Sequence, residues 1–333
     1  MIIKRVELNN FRNYETLDIS FDKSTNIIYG ANAQGKTNIL ESLYVAGTSK
    51  SHKGSKENEM IRFDCDSSHI RVNVRRSENI YTIDINLNKS KKKYISINHV
   101  PVKKASDLLG ILNIVFFSPE DLNIVKSSPS LRRRFIDMEL CQIDKIYLND
   151  LYSYNKVLRQ RSALLKDLYD HPDLKDTLSV WDEQLIFYGK KVIKRREEFI
   201  NELSPVIARM HYEISGKKEE LNSKYKPNAS YDDYEKEFKR SNEKDIKTGQ
   251  TNIGPHRDDI SFKIDGIDMR KYGSQGQKRC CALSLKLSEI DIVSNIIKDK
   301  PVLLLDDVLS ELDSNRQKFL LESINDIQTI ITC

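Results

Sequence analysis

The stretch Gly30-Ala31-Asn32-Ala33-Gln34-Gly35-Lys36-Thr37 constrains this chain more than any other. It follows a short apolar run, Ile27-Ile28-Tyr29, and leads into a segment whose apolar side is Ile39, Leu40, Leu43 and Tyr44. Strand, glycine-bounded loop closed by Lys-Thr, and helix, in that order, is the P-loop arrangement. Gly30 and Gly35 allow backbone conformations closed to residues with a Cβ, so that successive N–H groups between Gly30 and Asn38 can converge on phosphate oxygens. Lys36 is then placed to reach the β- and γ-phosphates and Thr37 to offer its hydroxyl to Mg²⁺. The helix N-terminus adds a fixed partial positive charge.

A P-loop needs an acidic partner. Pro301-Val302-Leu303-Leu304-Leu305-Asp306-Asp307 is an apolar strand ending in two carboxylates. Asp306 is expected to hold Mg²⁺ through water beside Thr37, and Asp307 to polarise the attacking water. ATP and Mg²⁺ are therefore the expected cofactors, with Lys36, Asp306 and Asp307 as the catalytic set and Thr37 and Asp306 as the metal set.

Between the two motifs lies most of the chain. Residues 2–8 and Thr16 to Phe21 alternate apolar and polar, which predicts a hairpin turning near Asn9 to Tyr14. Three further period-two runs, beginning at Ile70, Tyr81 and Tyr94, predict an antiparallel meander. Ile111 to Phe117 reads as a buried strand. From about Ser130 the period turns helical, and Tyr147, Leu151, Tyr154, Leu158, Leu165 and Leu168 recur at spacings of three and four, interrupted by Arg161. A second such series, Leu178 to Leu203, is interrupted by Arg195. Two helices of about 20 to 25 residues each, joined around His171-Pro172, would pack as an antiparallel pair. The expected architecture is α/β. It has a P-loop ATPase head with a mixed sheet and an antiparallel β subdomain, formed by residues 1–120 and 248–333, plus a helical insertion domain at 121–247.

Charge points to a polyanion. The overall balance is +5, yet Lys89 to Ser106 holds six lysines and no acid, and Lys126 to Lys166 holds nine basic residues against four acidic ones. Lys91, Lys92, Lys93, Arg132, Arg133 and Arg134 are the candidate contacts, which in a nucleic acid would go to backbone phosphates rather than base edges. His52, alone in the polar run Ser49 to Lys56, reads as a solvated surface residue. No window approaches the apolar length of a membrane span, and the N-terminus lacks a signal core, so a cytoplasmic protein with no membrane partner is expected. The five cysteines include no C-x-x-C pair and read as reduced thiols.

Tyr272-Gly273-Ser274-Gln275-Gly276-Gln277 opens a long helix just before the acidic strand. A P-loop, a helical insertion, a Ser-Gln-Gly-Gln helix start and an acidic strand, in this order, resemble the ABC-type ATPases. In those proteins such a signature loop caps the γ-phosphate held by a second copy, so that ATP joins two chains head to tail. Ser274, Gln275, Gly276 and Gln277 are the corresponding residues here.

The resemblance becomes specific to the RecF family, ABC/SMC-like recombination mediators of bacterial DNA repair. It is carried by Asn10-Phe11-Arg12-Asn13-Tyr14, the P-loop with Asn38-Ile39-Leu40-Glu41, and Phe117-Ser118-Pro119-Glu120-Asp121-Leu122. Further matches are Arg132-Arg133-Arg134-Phe135-Ile136-Asp137, Gly254-Pro255-His256-Arg257-Asp258-Asp259, Ser274 to Arg279 and Leu305-Asp306-Asp307. The resemblance implies an ATP-dependent homodimer on double-stranded DNA or at single-strand/double-strand junctions. It also implies weak DNA-dependent ATP hydrolysis, and cooperation with RecO and RecR in loading RecA at gaps. It implies too that Arg12 approaches the nucleotide phosphates. The sequence departs from the pattern in three places. Asp307 stands where many ABC ATPases have Glu. No glutamine lies in Phe117 to Leu122, leaving Glu120 as a substitute for a Mg²⁺-sensing residue. No switch histidine follows Asp313, and family members usually continue beyond the position of Cys333. Two other readings share the site chemistry: the nucleotide-binding subunit of an ABC transporter, and a translocating motor.

Overall fold

The computed structural model describes residues 1–333, with the side chains of Ala105 and Leu122 outside the description. The chain divides into two compact units, Met1–Asn123 with Leu285–Cys333, and Ile124–Ser284.

The first unit holds two sheets, the P-loop helix, the helix Ser314–Ser323 and the C-terminal part of the helix Gln275–Ile297. The hairpin Ile2–Phe11 with Tyr14–Ser20 continues through Ser67–Arg76, Asn79–Asn88, Tyr94–Ile97 and Val100–Pro101 into a six-stranded antiparallel sheet. Its strands alternate: Ile70, Val72 and Val74 are buried, while the intervening His69, Arg71 and Asn73 are half-buried on the other face. The second sheet is parallel, in the order Thr25–Ile28, Thr329–Thr332, Val302–Asp306, Ile114–Phe117. Apart from the edge strand Thr25–Ile28, its strands are buried at every residue, as expected of strands covered on both faces.

The P-loop helix, Lys36–Thr48, packs against strands of both sheets, and every residue from Ile39 to Thr48 is buried. The sequence suggested a helix with one apolar side; its place between two sheets instead explains why Glu41, Ser42 and Thr48 are inside as well. Gly47 allows a close approach, since a Cβ there would lie 2.8 Å from Ile114 Cδ1 and 2.9 Å from the Leu112 carbonyl. His52, expected in solvent, is half-buried, its ring stacked on Phe116 with centroids 4.1 Å apart.

The second unit holds the helices Pro129–Ile143, Lys145–Asp167, Leu178–Ile214 and Tyr234–Thr248. The pairs Arg161–Asp182, Lys191–Asp150 and Arg195–Asp144 run in opposite order along two of them, so Lys145–Asp167 and Leu178–Ile214 are antiparallel as expected. The latter has 37 residues and carries Pro205 within it, longer than the sequence suggested. Its apolar face runs on past the proline through Ile207, which overrides the single lost backbone bond.

The expected domain division needs correction at its second boundary. Leu221–Lys226 is a strand with alternating burial, and it pairs antiparallel with Asp259–Ile264, which in turn pairs with Ile267–Asp268. This sheet ties residues 248–284 to the helical unit, so the chain returns to the ATPase unit at Leu285 rather than at 248.

Arg161 is fully buried and bonds Asp182, Asp245, Thr251 and Asn242, with its guanidinium 4.7 Å from the Phe238 ring centroid. Arg196 likewise holds Asp137, Tyr147, Asp258 and the Pro255 carbonyl. The segment Gly254 to Asp259, diagnostic in the sequence but without an assigned role, is thus the polar hub of this unit. Its His256 accepts from Tyr154 through Nδ1 at 2.7 Å, because Nε2 faces the Thr251 carbonyl at 2.9 Å and must carry the hydrogen.

Candidate functional site: a P-loop nucleotide cleft

At the carboxyl ends of the parallel strands the loop, the acidic strand and the last strand line an open cleft of about 330 Å³. Asn32, Ala33, Gln34, Gly35, Lys36, Thr37, Asn38, Asp306, Asp307, Thr332 and Cys333 form its walls. Ligands of open α/β sheets bind at this edge. Gly35 adopts φ 98°, and a Cβ there would meet the Asn13 side chain at 2.5 Å, so both the conformation and the space call for glycine. Lys36 Nζ donates to the carbonyls of Gly30 (2.5 Å) and Ala31 (3.0 Å), spanning the loop where phosphates are expected.

Thr37 Oγ1 donates to Asp306 Oδ1 at 2.8 Å, joining residues 269 positions apart. Strand order produces this meeting, because Thr329–Thr332 lies between the P-loop strand and the acidic strand, with Thr332 in register with both Ile28 and Asp306. Thr332 is a site residue that the sequence did not reveal. Its hydroxyl donates to Asp306 Oδ1 at 2.8 Å and accepts from the Asp307 N–H at 3.1 Å, so it fixes both carboxylate residues together. Asp307 takes φ 52° and is exposed at the cleft. Glu120 is exposed in the turn that follows Ile114–Phe117, the strand beside the acidic one.

The hairpin tip clamps the loop. Asn13 Nδ2 donates to the Gln34 carbonyl at 3.0 Å, Asn38 Nδ2 donates to Asn13 Oδ1 at 2.8 Å, and the Tyr14 hydroxyl donates to Gln34 O at 3.3 Å. These two residues belong to the diagnostic Asn10 to Tyr14 stretch, in which only Arg12 had an expected role. Arg12 itself turns to the P-loop helix: it grips both oxygens of Glu41 and bonds Ser55 Oγ and the Glu59 carbonyl. Those bonds occupy four of the five N–H groups of a guanidinium, so the expected phosphate contact is left one donor.

The Ser-Gln-Gly-Gln segment, in the second unit, begins the helix Gln275–Ile297. Ser274 Oγ accepts from the Gln277 N–H at 3.2 Å while Gln277 Oε1 accepts from the Ser274 N–H at 3.0 Å, a reciprocal capping box. Ser274 is exposed.

The basic candidates separate on burial. Lys91 and Lys92 are exposed, on a loop whose Ser90 and Lys91 N–H groups are held by Asn88 Oδ1. Lys93 is 13% exposed and bonds the Ser49 carbonyl and Glu57, which makes it a tether. Arg132 is buried, paired with Asp259 and bonded to the carbonyls of Ile124 and Ser127, so it is removed from the DNA-contact set. Arg133 is half-buried and donates to the Asp258 carbonyl, while Arg134 is exposed.

These features define a P-loop ATPase head of the ABC/SMC class. The family model for the RecF/RecN/SMC N-terminal domain matches residues 2–333. The chain belongs to the RecF family. It is 61% identical to the DNA replication and repair protein RecF of Agathobacter rectalis, covering 100% of this chain and 92% of that protein. Identity to the RecF of Clostridium botulinum is 47%, with the same coverage. A solved structure of the recombination mediator protein RecF-ATPrS in the RecFOR pathway is 37% identical with a TM-score of 0.94, covering 100% of this chain and 92% of that one. The Smc head domain of Pyrococcus furiosus shares the fold, at 18% identity and a TM-score of 0.55. Relatives that are replication and repair proteins along the whole chain set the transporter-subunit reading aside.

Proposed function

We propose that this protein is an ATP-gated DNA clamp of recombinational repair: ATP binding joins two copies head to tail on DNA, and slow hydrolysis releases them. The observation that carries the proposal is the bond from Thr37 to Asp306, which brings a phosphate loop and an acidic strand from opposite ends of the chain to one cleft. The fit to Mg²⁺ rests on the same pair: a hydroxyl and a carboxylate oxygen 2.8 Å apart are the donor set of a hard cation. Bound Mg²⁺ would neutralise phosphate charge. Lys36 would orient the β- and γ-phosphates, Asp307 would accept a hydrogen bond from water, and Thr332 would keep both carboxylate residues in place. Asp307 has a shorter arm than glutamate, which suits a switch better than a fast motor.

ATP as ligand is supported by the solved relatives RecF-ATP and RecF-ATPrS, and the RecFOR pathway in which they are placed supports RecO and RecR as partners. Lys91 and Lys92, with Arg133 and Arg134, are the proposed phosphate-backbone contacts. Sedimentation with and without ATP tests the arrangement. Wild type should dimerise only with ATP, Lys36→Ala should neither bind ATP nor dimerise, and Ser274→Arg should bind ATP and stay monomeric. An ATP-bound Ser274→Arg dimer of wild-type strength would overturn the head-to-tail reading, and rapid DNA-stimulated turnover would favour a translocating motor.

A further inference from the structure

A chain of polar contacts leads inward from Ser274. The side-chain amide of Gln277 can turn either its oxygen or its nitrogen toward the Ser274 N–H, and only the oxygen completes the capping box. Its Nε2 donates to Glu219 Oε1 at 2.9 Å. An ionised carboxylate only accepts, so Glu219 selects that orientation of the amide. Glu219 is itself held: its Oε2 faces His211 Nε2 at 3.0 Å, and its N–H reaches Ser215 Oγ at 3.3 Å in the turn after the helix Leu178–Ile214. His211 is fully buried, with Nδ1 3.2 Å from Ser284 Oγ, and Ser284 donates to the Cys280 carbonyl in the signature helix. The relay therefore leaves the helix at Gln277 and returns to it two turns later.

With the box intact, the Ser274 oxygen spends a lone pair on the Gln277 N–H and keeps its hydroxyl hydrogen for an acceptor outside the chain. We infer that Glu219, anchored by His211, is a positioning residue for the signature serine: it holds Gln277 so that Ser274 presents its hydroxyl to the γ-phosphate bound by a second copy. This inference rests on the head-to-tail reading above.

The test uses the full chain, with ATP affinity of the monomer, ATP-dependent dimerisation and steady-state hydrolysis as separate readouts. Glu219→Ala should leave ATP affinity unchanged while weakening the ATP-dependent dimer about tenfold and lowering kcat with little change in KM. Glu219→Gln, whose amide oxygen can still accept from Gln277, should recover most of the loss. Gln277→Ala should match Glu219→Ala, and the double variant should lose no more than either single one, because both remove the same contact. Wild-type dimerisation by Glu219→Ala, no rescue by Glu219→Gln, or additive losses in the double variant would each overturn the assignment. If Glu219→Ala does not fold, Gln277→Ala against Glu219→Gln decides it on the same readouts. Wild-type dimerisation by Ser274→Arg would instead bring down the head-to-tail reading itself, a result distinct from failure at Glu219.

Discussion

Arg12 and Glu41 form a bidentate ion pair, Nε to Oε2 at 2.9 Å and Nη2 to Oε1 at 2.7 Å, which locks the tip of the first hairpin to the P-loop helix. Glu41 is wholly buried, and Ser51 donates to the same carboxylate. Burial alone would raise the carboxyl pKa, but the bonds from Arg12 and Ser51 outweigh it and hold the group below the ordinary glutamate range. Arg12→Ala strands a buried charge and should cost about 3 to 5 kcal/mol of stability, measured by chemical denaturation. The stability that Glu41 contributes is present above the pKa of an unfolded glutamate and is lost as pH falls through the lower folded value. An Arg12→Ala protein as stable as wild type would show that the pair does not hold the hairpin.

Thr332 touches both carboxylate residues of the acidic strand, donating to Asp306 and accepting from the Asp307 N–H. Thr332→Val keeps the shape and removes both bonds. At about 1 kcal/mol for each of the two hydrogen bonds, hydrolysis should fall roughly thirtyfold while ATP affinity moves less than twofold. Equal losses in affinity and turnover would mean that Thr332 serves nucleotide binding instead.

How much of this could be read from residues alone differs from place to place. The phosphate loop was legible because its backbone demands glycine at fixed positions beside Lys36 and Thr37, and the acidic strand because a P-loop requires such a partner; an apolar run ending in two carboxylates is common by itself. Thr332 was not, since its importance comes from strand order: Thr329–Thr332 inserts between two strands that are distant in sequence. Arg132 misled for a related reason. Three consecutive arginines look like a solvated face, whereas the partner that buries Arg132, Asp259, lies 127 positions away. Arg161 breaks an apolar stripe, yet nothing local in the sequence distinguishes it from a surface interruption. Only the convergence of Asp182 and Asp245 makes it a core residue.

The basic residues separate by experiment in the way they separate by burial. Lys91→Glu and Lys92→Glu should weaken DNA binding across sequences and reduce the slope of log affinity against log salt by about one each. Arg132→Ala should leave that slope unchanged and instead destabilise the protein by about 1 to 3 kcal/mol, because Asp259 and the carbonyls of Ile124 and Ser127 lose their donor. A reduced salt slope in a stably folded Arg132→Ala protein would restore Arg132 to the DNA surface.

His256 gives the helical unit a distinct acid sensitivity. Burial, more than any neighbouring charge, lowers its pKa to about 4 from the ordinary 6.5. The neutral ring is the one that fits, accepting from Tyr154 through Nδ1 and donating to the Thr251 carbonyl. Because the folded value is depressed, the unfolded chain takes up this proton first as pH falls. Stability is fully present above about 6.5 and declines until about 4, where the folded ring also protonates. A shift of this size corresponds to about 3 kcal/mol over the window. Unfolding measured at intervals from pH 7 to pH 4 should therefore be less steeply pH-dependent in His256→Gln than in wild type, although the variant is less stable at pH 7. Parallel curves for the two proteins would show that the acid response arises elsewhere.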